Sequence, residues 1–217
     1  MTRTPFPKVA DTAHERRTHI IEATAALMAR AGLAGISVRS VAEHAGCSRG
    51  LVEHYFNSKA ELLAAADLWV NESYLERVAN AVGDRRGLAA LEARLRNLLP
   101  YTDSVLDEWR VRLEFWRQAG VNSTTALHNS ESFYAAYEQI LTDVRHAQAH
   151  GEIPDSIPLI ESSELVLFFV IGIATACITT ERLRQQRPLD RRIEMILGML
   201  KTDTLAALRI GDPEIEF

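Results

Sequence analysis

The sequence predicts an all-α fold, a small N-terminal head followed by a larger helical bundle, and three observations carry that expectation. Residues 37–59 read as two short helices joined by a glycine turn. Through the rest of the chain, bulky apolar residues recur at helical spacing. Charge divides at the same place: residues 1–60 hold 8 Lys+Arg against 5 Asp+Glu, net +3, while the remainder holds 16 against 24, net −8. At 217 residues the chain is long enough for a head and a body with a sizeable core.

Residues 1–14 contain Pro5 and Pro7 and no helical period, so they read as a flexible tail whose Arg3 and Lys8 can brush an anionic backbone. The head follows over 15–60. Within it Ser37 is placed to cap one helix, Gly46 can take the left-handed conformation of the turn, and Ser48 can cap the next. Leu51, Val52 and Tyr55 then form an inward face against Val41, Ala42 and Ala45. The opposite face carries Arg49, Gly50, Glu53 and His54. A helix-turn-helix of this layout delivers its second helix to the major groove of DNA. Arg49 can fork onto O6 and N7 of guanine, and Gly50 lets the helix N-terminus come close. Lys59, at the start of the following helix, suits a phosphate contact. A generic helical hairpin has the same turn chemistry, so the hairpin alone leaves that alternative open.

The body, expected over 61–208, begins with a helix from about Ser58 to Val82 that links it to the head. Gly87 to Leu99 is a short helix stopped by Pro100. From Val105 to Ala119, Leu106, Trp109, Leu113 and Trp116 make one apolar stripe, and Phe133, Tyr137, Ile140 and Val144 make a second on a helix ending near Gly151 and Pro154. Trp109, Trp116, Phe133 and Tyr137 can line a ligand cavity, in which a cation would favour the aromatic faces; plain core packing is the other reading. The last two helices are expected over about Leu159 to Arg184 and Leu189 to Leu208. The first is apolar nearly all round, and Gly172, Ala174 and Ala176 permit close approach of another helix. The pair therefore reads as a homodimer interface, with a monomer that swallows the helix in its core as the alternative. Residues 209–217 are left as a C-terminal tail.

Beyond the hairpin, the stretch Thr18 to Leu63 resembles the N-terminal domain of the TetR family of bacterial transcriptional regulators. Ile20-Ile21-Glu22-Ala23-Thr24 and Ala31-Gly32-Leu33 look like the family's first helix and its stop. Ser37 to Ser48 looks like the second helix and turn, and Arg49 to Phe56 followed by Asn57 to Leu63 looks like the recognition helix and the start of the fourth. The resemblance implies DNA-contacting roles for Ser37, Arg39, Ser48, Arg49, Gly50, His54, Tyr55 and Lys59. It also implies a helical ligand-binding and dimerisation domain in the body and a homodimer on a palindromic double-stranded DNA operator. By occupying a promoter the protein would act as a repressor released by a small-molecule effector; activation by the same geometry is the alternative. One departure is Glu53, where many members carry tyrosine; a carboxylate can instead accept from a cytosine amino group. The His54-Tyr55-Phe56 ending looks most like the choline-responsive BetI-type branch.

Other chemistry finds little support. Cys47 and Cys177 lie far apart and point to a reducing cytoplasm rather than a disulfide framework. No apolar stretch follows a basic start, so no secretory signal is visible. The apolar run Leu165 to Ile178 has 14 residues, against roughly 20 for a membrane span, which argues against a membrane protein. No phosphate-binding loop, dinucleotide turn or nucleophile elbow is present, and neither a catalytic residue nor a cofactor is expected. His146 and His150 stand four apart but lack further ligands at metal-site spacing, so they read as solvated and no metal is expected. The rival function is an all-helical carrier or enzyme for a small molecule whose hairpin is incidental; a protein-interaction bundle is a third.

Overall fold

The structure, a computed structural model, describes residues 9–119, 123–202 and 204–205. Its helices are α1 (Val9–Ala31), α2 (Val38–His44), α3 (Arg49–Tyr55), α4 (Lys59–Val82), α5 (Gly87–Leu98), α6 (Asp103–Ala119), α7 (Ser123–Ala149), α8 (Leu159–Thr179) and α9 (Gln186–Leu200). Among the described residues there is no strand, so the expected all-α class is the observed one.

The chain divides into two compact units, one running to Leu75 and including Arg110–Glu114, the other comprising Glu76–Trp109 and the residues from Phe115 onward. The division falls inside α4 rather than at residue 60. The reason lies in the inward face of α4, where Leu62, Ala66, Val70 and Tyr74 are all buried. At Tyr74 the Arg112 guanidinium stands over the ring, 5.0 Å from its centroid.

In the first unit α1 begins at Val9, so residues 9–14 belong to a helix rather than to a tail. Pro5 and Pro7 precede that start, and neither proline nor glycine interrupts the chain until Gly32. Residues 1–8 lie outside the described residues. Ile20, Ile21 and Met28 of α1, Val41 and Ala42 of α2, Ala45 of the turn, and Val52 of α3 form the core of the head. Beside Val52, the residue buried from this segment is Phe56, whereas Leu51 and Tyr55 are only half-buried. Phe56 leaves the helix in an extended conformation at the C-cap, and Arg17 stacks over its ring. The chain reversal after α3 thus turns inward a residue that helical periodicity would have left unassigned.

In the second unit α5 packs on α7, α7 on α8, and α5 on α9. Leu91, Leu95, Ile140, Val144, Val170, Leu189 and Ile193 form the centre of that core. Arg94 of α5 and Asp143 of α7 make a buried ion pair, Nε to Oδ2 at 2.7 Å, and Arg94 also donates to Gln139. Asp190 of α9 accepts from the Tyr101 hydroxyl at 2.8 Å and from Arg96 at 2.6 Å. Those two donors hold its carboxyl below the usual range.

Helices α8 and α9 differ from the expected spans at their ends. The α-helix stops at Thr179, where three consecutive β-branched residues, Ile178, Thr179 and Thr180, weaken it, and Glu181–Arg184 forms a separate 3-10 turn. Helix α9 starts three residues earlier than expected, since Pro188 falls in its first turn, where a missing N–H is harmless. It ends at Leu200, and the hydroxyls of Thr202 and Thr204 bond each other at 2.7 Å just beyond. Residues 206–208 and the expected tail 209–217 lie outside the described residues. As a whole α8 has 21 residues and a mean hydropathy of 1.9 over its most apolar 18, long and apolar enough to cross a membrane, unlike the 14-residue run inside it.

Candidate DNA interface

Helices α2 and α3 are built by their caps. Ser37 accepts from the Ser40 backbone N–H at 3.0 Å while the Ser40 hydroxyl accepts from the Ser37 N–H at 2.8 Å, a reciprocal capping box. The usual capping-box signature carries Glu or Gln where this chain has Ser40, so the only sequence signal for this box is the Ser-x-x-Ser spacing. Gly46 carries φ +63° in the turn, the left-handed conformation expected of it. His19 of α1 reaches the Ala45 carbonyl through Nε2 at 3.0 Å and ties α1 to the same turn. Ser48 then caps α3, accepting from the Leu51 N–H at 3.2 Å.

The eight residues assigned to DNA contact all fall on this hairpin or at the start of α4. Ser37 and Ser48 are exposed but occupied as caps. Arg39 and Arg49 are exposed, and each is paired with a glutamate one turn on, Arg39 Nε to Glu43 at 2.9 Å and Arg49 Nε to Glu53 at 2.7 Å. The Glu43 hydrogen bond raises the Arg39 guanidinium above its ordinary value. Gly50 is exposed and has no positive φ, and a Cβ added there would meet only the Ser48 Oγ at 4.0 Å. His54 is exposed and stands edge-on to the half-buried Tyr55, ring centroids 5.1 Å apart. Lys59 spends one of its donors on the Leu33 carbonyl at 3.2 Å, anchoring the start of α4 to the turn after α1.

The aromatic residues of the second unit fall into two groups. Trp109 and Trp116 make an edge-to-face pair with centroids 6.2 Å apart. Trp109 is only 3% exposed, and its indole N–H donates to the Leu98 carbonyl at 2.7 Å. Phe133 meets Tyr134 of its own helix and Phe168 of α8, with centroids 5.9 and 6.1 Å away. Burial raises the Tyr137 phenol above its ordinary value, aided by the nearby carboxylates of Glu164, Glu138 and Glu161. A separate open groove of about 400 Å³ runs along α8, lined by Leu165, Phe168, Phe169, Gly172 and Ile173 and reaching Arg192 of α9. None of the four aromatic residues named from the sequence lines it.

His150 turns its Nδ1 to the His146 carbonyl at 2.7 Å, so the two histidines finish a helix end. Among the described residues no group of three or more His, Cys, Asp or Glu is placed to hold a metal. Cys47 and Cys177 are both free thiols.

A capped two-helix hairpin with an exposed arginine-bearing second helix has the layout of a helix-turn-helix, the class of fold by which many regulators bind DNA. Residues 20–66 match the model of bacterial regulatory proteins of the tetR family. The HTH-type transcriptional regulator PksA of Bacillus subtilis is 32% identical over 152 residues, 69% of this chain and 70% of that protein. A BetI regulator of Burkholderia cenocepacia is 30% identical over 155 residues, 69% and 73% of the two chains. In fold, a transcriptional regulator of Saccharomonospora viridis crystallised with choline superposes with a TM-score of 0.78 at 20% identity, covering 88% of this chain and 97% of that one. The chain belongs to the TetR family, whose members are ligand-responsive, DNA-binding transcription regulators.

Proposed function

We propose that the protein is a cytoplasmic homodimeric repressor that occupies a palindromic operator and is released by a small molecule. Its two heads enter successive major grooves about one helical turn apart. Ser37, Arg39, Ser48, Arg49, Gly50, His54, Tyr55 and Lys59 face the duplex. The observation that carries this reading is Gly50: its backbone needs no glycine and the protein leaves its side open. Glycine within a helix costs about 1 kcal/mol relative to alanine. Close approach of a DNA backbone or base edge accounts for it.

Dimerisation is supported by α8. Its inner face is buried, yet Ile160 and Phe168 are 57% and 55% exposed, and the apolar groove lies on the same helix. A second copy covers that face in a four-helix arrangement with α9. Sedimentation at micromolar concentration is expected to show a dimer; monomer alone overturns the assignment.

The effector is proposed to be a small cation held near Trp109, Trp116, Phe133 and Tyr137. The acidic neighbours of Tyr137 and the choline of the Saccharomonospora viridis protein support that choice. Its binding favours a body conformation that swings α4 and misplaces the heads, and the coupling lowers DNA affinity.

The test is selection of genomic DNA fragments by the purified protein at two salt concentrations, with variants. Arg49→Ala is expected to weaken operator binding by about 1–3 kcal/mol and relax preference at one base pair. Lys59→Ala is expected to weaken all sequences alike and lower the salt slope by roughly 1. Unchanged affinity in both variants removes these residues from the interface.

A further inference from the structure

The two arginines of the hairpin share one arrangement that the DNA-binding reading does not require. Each gives its inner nitrogen to a glutamate four residues on, Arg49 Nε to Glu53 Oε1 at 2.7 Å and Arg39 Nε to Glu43 Oε1 at 2.9 Å. The side chains of Arg49 and Glu53 remain 69% and 48% exposed. Over residues 37–56 the two arginines and two glutamates cancel, 2 − 2 = 0, so these helices present no net formal charge to a polyanion. Counterion release by free cations is the main source of sequence-independent affinity for a phosphate backbone, and arginines paired in this way supply less of it.

The pairing geometry selects what the arginine can still do. A guanidinium with Nε occupied keeps its two terminal nitrogens, Nη1 and Nη2, which form the end-on fork that matches the O6 and N7 acceptors of guanine. Holding the side chain also biases its rotamer before DNA arrives, so somewhat less freedom is lost when the fork engages. A phosphate, by contrast, accepts from any donor in many orientations and is repelled by the adjacent carboxylate.

We infer that Glu53 is a specificity-determining positioning residue: by holding Arg49 through Nε it presents the fork to guanine and withholds the arginine from phosphates. The inference rests on the proposed DNA-binding role and adds to it a function for Glu53. An exposed pair of this kind biases its arginine by about twofold. With two heads on one duplex, the bias compounds to about fourfold.

The experiment uses the full chain and its Glu53→Gln, Arg49→Ala and doubly substituted forms. Each is assayed by selection from a random duplex library and by affinity for unselected random duplex at two salt concentrations. The wild type is expected to enrich sites with a guanine at one position of each half-site. Glu53→Gln is expected to bind random duplex about fourfold more tightly, with a steeper salt dependence, and to lose about as much of its guanine preference. Both effects are expected to vanish in the Arg49→Ala background, because they act through that side chain. If Glu53→Gln leaves guanine preference unchanged, or if its gain on random duplex persists without Arg49, then bulk charge is the whole effect and the inference is overturned. A wild type that enriches no DNA fails at an earlier arm, and the DNA-binding reading falls together with this one. Circular dichroism melting keeps the variants comparable, since the substituted site is exposed and on the surface of the head.

Discussion

Asp143→Ala is expected to destabilise the second unit by about 3–5 kcal/mol, because it leaves the Arg94 guanidinium buried without its counter-charge. Arg94 and Asp143 are 7% and 5% exposed, and they connect α5 to α7 across the most extensive helix pairing of that unit. Gln139 accepts from a second nitrogen of the same guanidinium but carries no charge to balance it. A typical domain is stable by only about 5–15 kcal/mol, so the loss is a large fraction of the total. Urea unfolding followed by far-ultraviolet circular dichroism is the measurement, read as a fall in the midpoint. Replacing both residues at once, Arg94→Met with Asp143→Leu, is expected to recover much of the stability, since an apolar pair of similar volume avoids the desolvation of two ions. A single variant that unfolds at the wild-type midpoint would show that the pair contributes nothing.

Gly87→Ala is expected to cost about 2–3 kcal/mol, through two effects at one position. Gly87 opens α5 with φ +60°, a conformation that burdens any side chain by about 1–2 kcal/mol. An added Cβ would also stand 2.5 Å from Glu152 Oε1. The carboxylate is at the end of a flexible side chain and can swing aside. It then releases the Leu88 N–H, which it accepts at 2.7 Å and which has no cap from the helix's own N-terminal residue, Arg86. Glu152→Ala isolates the second effect and is expected to cost about 1 kcal/mol, so the difference between the two midpoints reports the backbone strain alone. Equal losses in both variants would mean that strain at Gly87 is negligible.

Much of the head was legible because its determinants are local. A serine at a helix start, a glycine in a tight turn and an apolar residue every third or fourth position act through backbone geometry within a few residues. Ser37, Gly46 and Ser48 hold those places in the structure. The head's lower boundary was less legible, since α4 serves the first unit with Leu62, Ala66 and Val70 before the division at Leu75. Periodicity marks an apolar face without naming its partner. Phe56 illustrates the same point at a single residue: it lies past the end of α3, where helical spacing no longer predicts a direction.

Among the candidate site residues, sequence pattern names residue types but not their neighbours. A carboxylate at position 53 suits cytosine by type, and the structure also gives it Arg49 as a partner. Lys59 suits phosphate by type, and its ammonium also anchors α4 to the Leu33 carbonyl across 26 residues of chain. The two aromatic stripes, on α6 and α7, find separate neighbours: Trp109 pairs with Trp116, while Phe133 turns to Phe168 of α8.

Sequence by itself determined the class of this protein: an all-α chain with a helix-turn-helix head, caps and turn included, because those features depend on interactions spanning four or five residues. Tertiary structure decided what such short-range rules do not reach. It set the boundary within α4, the burial of Arg94 against Asp143 49 residues away, the capping of α5 by Glu152 64 residues away, and the uncovered face of α8. Each of these is a choice among many sterically allowed partners, and the choice is made by which groups are left without water or a counter-charge once the helices close on one another.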